Sequence, residues 1–202
     1  QKYILFPIIF LGFILLDCAG TQQDSIAKTQ NVEFLIEQGE LFWQQRSDSL
    51  TLKKAEHFIS LACQQRPGQF DIAILYAQIL YTRGLFFEKD GETQNSLFLQ
   101  ASQLCQDAVL NHQDFSVIYN NAQGDSTFKM LTAIAEVPIS VVPGLFWWAT
   151  NLARYLNTRP VIERLNHREI LEVLMHRILS LEPGFFYSGP YRFFGSFYTR
   201  IP

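Results

Sequence analysis

A chain of 202 residues is long enough to bury one sizeable core, and its formal net charge of −3 comes without any stripe of clustered Lys and Arg. That excludes a nucleic-acid binder, which needs grouped cations to meet phosphate. At 48% hydrophobic and 17% charged residues the chain is neither a disordered tail nor a coiled coil, and 18 Phe supply most of an aromatic share of 14%. Aromatic-rich interiors make packed cores and, less often, wide grooves or pockets.

The opening stretch, QKYILFPIIFLGFILLDCAG, carries one Lys and then an apolar run of 14 residues from Tyr3 to Leu16. Such a run is short for a membrane span and fits the apolar region of a secretory signal. Cys18, close behind Leu15 and Leu16, resembles the lipidated Cys of a bacterial lipobox, with Asp17 in a slot that normally holds Gly, Ala or Ser. Lipidation at Cys18 is the expectation; an uncleaved anchor or a plain signal peptide is the alternative. Each of the three puts the remainder outside the cytoplasm, and lipid chains would hold it on a membrane surface without spanning. The expected division is a signal-like segment over 1–20, a polar linker over 21–30 (TQQDSIAKTQ) and a helical domain over 31–202.

From Asn31 onward helical periodicity runs almost without a break, and the fold class read from it is all-α. NVEFLIEQGELFWQQR sets Phe34, Leu35, Leu41 and Phe42 on one face, with Gly39 admitting a close neighbour. The next helix carries Leu52, Ala55, Phe58, Ile59, Ala62 and Cys63 and stops at Pro67-Gly68. FDIAILYAQILYTRGLFF and NSLFLQASQLCQDAVLNH follow. Cys63 and Cys105 sit among apolar helical neighbours and read as core thiols, not as a bridge.

Spacing within these helices repeats. Ala55, Ile59, Ala62 and Pro67 satisfy the second-helix pattern of a tetratricopeptide repeat; Ala101, Cys105 and Ala108 satisfy three of its slots, with Gln113 in place of Pro. Leu171, Met175, Ile178 and Pro183 keep the spacing with larger residues. Tyr191, Phe194, Gly195 and Tyr198 fit the first-helix pattern, and Ala73, Tyr76, Ala77 and Leu80 fit it in part. These are degenerate antiparallel helix pairs interrupted by insertions at Arg83 to Asn95 and His112 to Asp125. The aromatic ending, YSGPYRFFGSFYTRIP, then reads as the first helix of a pair whose partner is expected beyond Pro202.

VPGLFWWATNLARYL (Val142 to Leu156), ILSLEPGFFYSGPYRFFGSFYTRIP (Ile178 to Pro202) and the lipoprotein-like start together resemble the T component of TRAP transporters. The likeness extends from about Asn31 and is most specific in the last sixty residues; the turn Ser188-Gly189-Pro190 is one Gly short of the commonest form. The resemblance implies a periplasmic lipoprotein whose cryptic repeats form a compact bundle around a central, largely apolar pore. It implies docking to a TRAP-type periplasmic solute-binding protein, passage of a small hydrophobic or acidic ligand, attachment to the membrane through a lipid anchor, and self-association known among relatives. It implies no cofactor and no bond chemistry.

The expected pore- or ligand-lining residues are Trp147, Trp148, Asn151, Tyr155, Tyr187, Arg192 and Phe193. Trp147 and Trp148 are adjacent and point about 100° apart on a helix, so either one can face the cavity while the other packs. Asn151, inside the same aromatic stripe, needs a ligand, a water or a backbone carbonyl if buried. Arg192 either anchors an acidic head or turns its charge outward to water. His57, His112, His167 and His176 form no metal-ligand pair, and no nucleophile–base couple or phosphate loop is present, so no enzyme is expected. The competing reading is an envelope scaffold lipoprotein that grips a protein or peptide and has no small-molecule cavity.

Overall fold

The computed structural model describes residues 29–200, and every regular element within them is helical, as the periodicity predicts. The chain runs α1 (29–44), α2 (Ser49–Gln65), α3 (Phe70–Phe86), α4 (Gly91–Asn111), α5 (Gln113–Asn121), α6 (Ser126–Glu136), a 3-10 turn (Ile139–Val141), α7 (Val142–Leu156), α8 (Val161–Asn166), α9 (Arg168–Leu181) and α10 (Phe185–Arg200). The apolar run, Cys18 and most of the polar linker lie outside the described residues. Among the described residues no single helix is long and apolar enough to cross a membrane.

Local chemistry explains several helix starts. Asp48, Asp90 and Asp125 each stand just before a helix and accept from the backbone N–H of Thr51 at 3.0 Å, Thr93 at 2.7 Å and Phe128 at 2.9 Å. The Thr93 hydroxyl also donates to Asp90 at 2.6 Å, and these bonds hold the Asp90 carboxyl below the usual carboxylate range. α7 begins differently, with Pro143 in its first turn, where the missing N–H costs nothing.

The core has two parts joined by α3. One lies among α1, α2 and the Ile72 and Ile79 side of α3; the other gathers α4 to α7, α9 and α10 against Ala73, Ile74, Ala77 and Leu80 of α3. A helix sandwiched this way is apolar round its circumference, which is why FDIAILYAQILY shows no clean polar face. On α1 the expected face needs correction. Val32, Leu35 and Gly39 are buried, whereas Phe34 and Leu41 are exposed. The close approach at Gly39 decides the phase: a Cβ there would overlap the Ile59 side chain, so α2 crosses at the glycine and rotates Phe34 outward.

Of the register positions read from the repeat spacing, Ala55, Ile59 and Ala62 on α2, Ala73, Ala77 and Leu80 on α3, Ala101, Cys105 and Ala108 on α4, and Leu171, Met175 and Ile178 on α9 are buried, whereas the first-helix pattern on α10 needs correction, because Tyr191, Gly195 and Tyr198 are exposed. The two stretches read as insertions are more ordered than expected. The first is mostly the end of α3 and the start of α4, with a short connection between. The second contains α5, which places Phe115 in the core and stacks it on Tyr119.

Candidate functional site

α7 lies in the middle of the larger core, and its glycine lets neighbours in. A Cβ at Gly144 would come within 2.6 Å of Val109 and 2.8 Å of the Phe70 ring, so only glycine allows α4 and α3 to close on this turn. Trp148, four residues on, is 1% exposed and packs within the core. Asn151 is fully buried beside it, and its amide nitrogen donates to the Trp147 carbonyl at 2.8 Å. The backbone carbonyl is thus the partner that this amide takes.

Among the described residues the Asn151 side-chain oxygen has no hydrogen-bond partner. A buried acceptor left unpaired costs on the order of 1 kcal/mol or more. Asn151→Leu, which keeps the branch at Cγ and removes both polar atoms, is therefore expected to stabilise the fold by about 1 kcal/mol and raise Tm by ~2–4 °C. A thermal melt with a lowered Tm would show that the oxygen is satisfied in solution.

α10 departs from helical expectation at its start. Phe186, Tyr187 and Ser188 have φ of 45°, 59° and 57°, one short left-handed turn built from residues with side chains. Each such residue costs roughly 1–2 kcal/mol relative to the right-handed form, so the surroundings must hold it. They do so from both sides. The Phe186 ring packs on Trp147 at 5.0 Å and Phe146 at 5.5 Å, and Arg192 donates to the carbonyls of Tyr187 at 2.6 Å and Phe186 at 2.9 Å. The right-handed part of the helix follows from Gly189 and Pro190. A Cβ on Gly189 would lie 2.7 Å from Phe146 Cζ, so glycine lets α10 touch α7 at this point.

Beyond that contact α7 and α10 leave a cleft of about 230 Å³, partly open to solvent. One wall is a single stripe of α7, Phe146, Trp147, Thr150, Ala153 and Arg154, with Asn157 just past its end. The other is Phe186, Gly189, Arg192, Phe193, Ser196 and Phe197 of α10, and Tyr81 of α3 lies behind. Tyr81 stands 5.4 Å from the Trp147 ring, and its hydroxyl accepts from Arg154 at 3.4 Å. Phe193 and Phe197 stack at 5.3 Å. Aromatic faces and hydrogen-bonding groups thus line the cleft together.

Of the residues expected to line a cavity, the structure brings Trp147, Arg192 and Phe193 together here. Trp148 and Asn151 are core residues; Tyr155 is half-buried with Arg159 over its ring at 5.4 Å; Tyr187 is 84% exposed. Arg192 is exposed, as the outward reading has it, yet its guanidinium turns back onto carbonyls. Tyr81, Phe146, Arg154, Phe186 and Phe197 were not singled out from sequence. Arg154 was within reach, since it lies one helical heptad after Trp147 on the same face.

Both remaining thiols are unbridged, with Cys105 fully buried and Cys63 half-buried, and burial pushes the Cys63 thiol up to about 11. Among the described residues no three His, Cys, Asp or Glu side chains stand together as metal ligands would.

The family described as TRAP transporter T-component matches residues 87–202, more than half of the chain and the whole of both cleft-forming helices. The chain belongs to that family. The match begins later than the resemblance from about Asn31, so α1, α2 and α3 precede the matched part of this T-component. No curated protein matches the chain. As a T-component the protein is a part of the TRAP transport apparatus of the bacterial envelope, a transport component and not a known enzyme.

Proposed function

We propose that this T-component binds a small, largely apolar ligand in the cleft between α7 and α10 and exchanges it with a TRAP-type periplasmic solute-binding protein docked against it. The domain over 31–202, with its repeat-like helix pairs, would be held at the periplasmic face of a membrane by lipid on Cys18. The observation that carries the reading is the aromatic cleft at Trp147, formed by two helices of the family-matched region. Its volume exceeds the roughly 150 Å³ of an apolar protein cavity that takes up benzene, so one ring or a short chain fits. No through-going pore is required, because the cleft is itself partly open to solvent.

Native mass spectrometry of the full chain with a mixture of small acids, alcohols and lipids tests the proposal, with a purified TRAP solute-binding protein as a second arm. Retention of a small molecule is expected. Its binding should also change the intrinsic fluorescence of the unmodified protein, and most of that change should vanish in Trp147→Phe, because Trp148 sits away from the cleft. Tight binding of the solute-binding protein with no small molecule retained would make the protein a scaffold and end the cleft reading.

A further inference from the structure

α1 and α2 pack on one side of α3, and the two faces of that outer pair differ. Glu56 of α2 accepts from Arg83 of α3 at 2.7 Å, which fixes the inner face. Lys54 and Phe58 stand two residues either side of Glu56, so the helix turns both of them away from α3. Phe58 is the middle of a three-ring ridge on that outer face. Phe34 of α1 meets it edge-on at 6.4 Å, and Phe42 of α1 stacks on it at 5.7 Å. Leu41 continues the ridge along α1, seven residues after Phe34, and Leu50 continues it along α2, eight residues before Phe58. Phe34, Leu41 and Leu50 are 53%, 46% and 60% exposed, so the ridge faces outward unfilled. The Lys54 ammonium lies 5.1 Å over the Phe42 ring. Rings and leucines with a cation at their edge compose a face by which helices lie in a membrane interface.

The chain ahead of α1 says what lies opposite this ridge. Ten residues, 19–28, separate Cys18 from the start of α1. Fully extended, they reach only about 35 Å. Lipid on Cys18 therefore keeps α1 close to the bilayer and makes lipid the partner at highest local concentration. Charge does not decide the contact, because exposed Glu37 and Glu40 on α1 offset exposed Lys53 and Lys54 on α2. Insertion of apolar side chains is what the ridge offers. α3 stands between the ridge and the cleft-forming helices, so this contact leaves α7 and α10 on the side away from the membrane. The ridge also lies wholly ahead of the family-matched residues.

We infer that the α1–α2 ridge is a membrane-contact face: Phe34, Leu41, Phe42, Leu50 and Phe58 enter the interfacial zone of the bilayer, with Lys54 at headgroup level. The inference rests on the lipid anchor at Cys18, as proposed above, and adds which face of the protein meets the lipid. An anchor alone leaves the domain free to tumble on its linker. A second, apolar contact holds it in one orientation.

The full chain, made in a bacterium and reconstituted in phosphatidylcholine vesicles, tests it. A nitrobenzoxadiazole label is placed on Leu41→Cys or, for comparison, on Phe128→Cys of α6, an exposed position across α3. Cys105 is buried and Cys63 half-buried, so both native thiols react slowly and stay in place. Lipid carrying a nitroxide near its headgroup should quench the Leu41 label at least ~3-fold more than the Phe128 label. Adding phosphatidylglycerol should change this by less than ~2-fold, since anionic lipid acts on net basic surfaces. In Phe34→Asp/Leu41→Asp, changed only at exposed positions, a label on Leu50→Cys should lose most of its quenching. Circular dichroism and a thermal melt check that each variant is folded. Equal quenching of the Leu41 and Phe128 labels on vesicle-bound protein overturns the face contact while the anchor stands. Quenching that survives the double substitution, or appears only with phosphatidylglycerol, overturns insertion by the ridge. A Leu41 label shielded from aqueous iodide but untouched by nitroxide lipid means that protein, such as a second copy of the chain, covers the ridge instead. A chain that does not float with the vesicles overturns anchor and contact together.

Discussion

Trp148→Ala is expected to destabilise the protein by about 4 kcal/mol, a fall in Tm of roughly 8–16 °C at this chain length. The indole is 1% exposed inside the larger core, where α7 meets the helices around it. Removing it costs both the transfer energy of the ring and the cavity it leaves. The adjacent Trp147 is also mostly buried, but one side of it faces the cleft, so its replacement by Phe should alter ligand affinity more than Tm. Chemical denaturation of both variants beside a ligand titration separates the two roles. A Trp148→Ala protein that melts with the unmodified one but no longer binds would reverse the assignment of the indoles.

The second large effect is at Gly189. In Gly189→Ala the new methyl would press on the Phe146 ring, with Cζ 2.7 Å away. That ring cannot simply tilt aside: Trp147 stands at 5.4 Å, Phe185 at 5.3 Å and Phe186 at 5.5 Å around it. Overpacking of this kind costs about 2 kcal/mol, or ~4–8 °C in Tm. A ring displaced here also moves into the closed end of the cleft, so ligand affinity should drop at least ~10-fold. Unchanged melting and unchanged affinity together would mean that α10 does not lean on α7 as described.

Much of the architecture was legible without coordinates. Helical spacing predicted every long element, and the repeat-like register marked residues on α2, α4 and α9 that prove to be buried. The motifs of the last sixty residues also pointed to the family that matches. Errors came where one helix offered two apolar faces of similar strength. On α1, Phe34 and Leu41 look as core-forming as Val32 and Leu35; only the crossing at Gly39 chooses between them. Stretches read as insertions hid α5, because a nine-residue helix with one buried ring, Phe115, has little periodicity to show.

What the amino-acid order determined by itself is the set of helices, their capped starts at Asp48, Asp90 and Asp125, and the presence of an aromatic stripe through Phe146 and Trp147, since these depend on spacing within a few turns. What only the tertiary structure decided is which side of that stripe stays unfilled. The left-handed turn at Phe186 to Ser188 aims α10 so that it touches α7 at Gly189 and then stands off from it, leaving Trp147 beside space and Trp148 inside solid packing. Three side-chain-bearing residues with positive φ have no signature in sequence; they persist because rings from α7 and the Arg192 guanidinium, distant or displaced along the chain, hold them there.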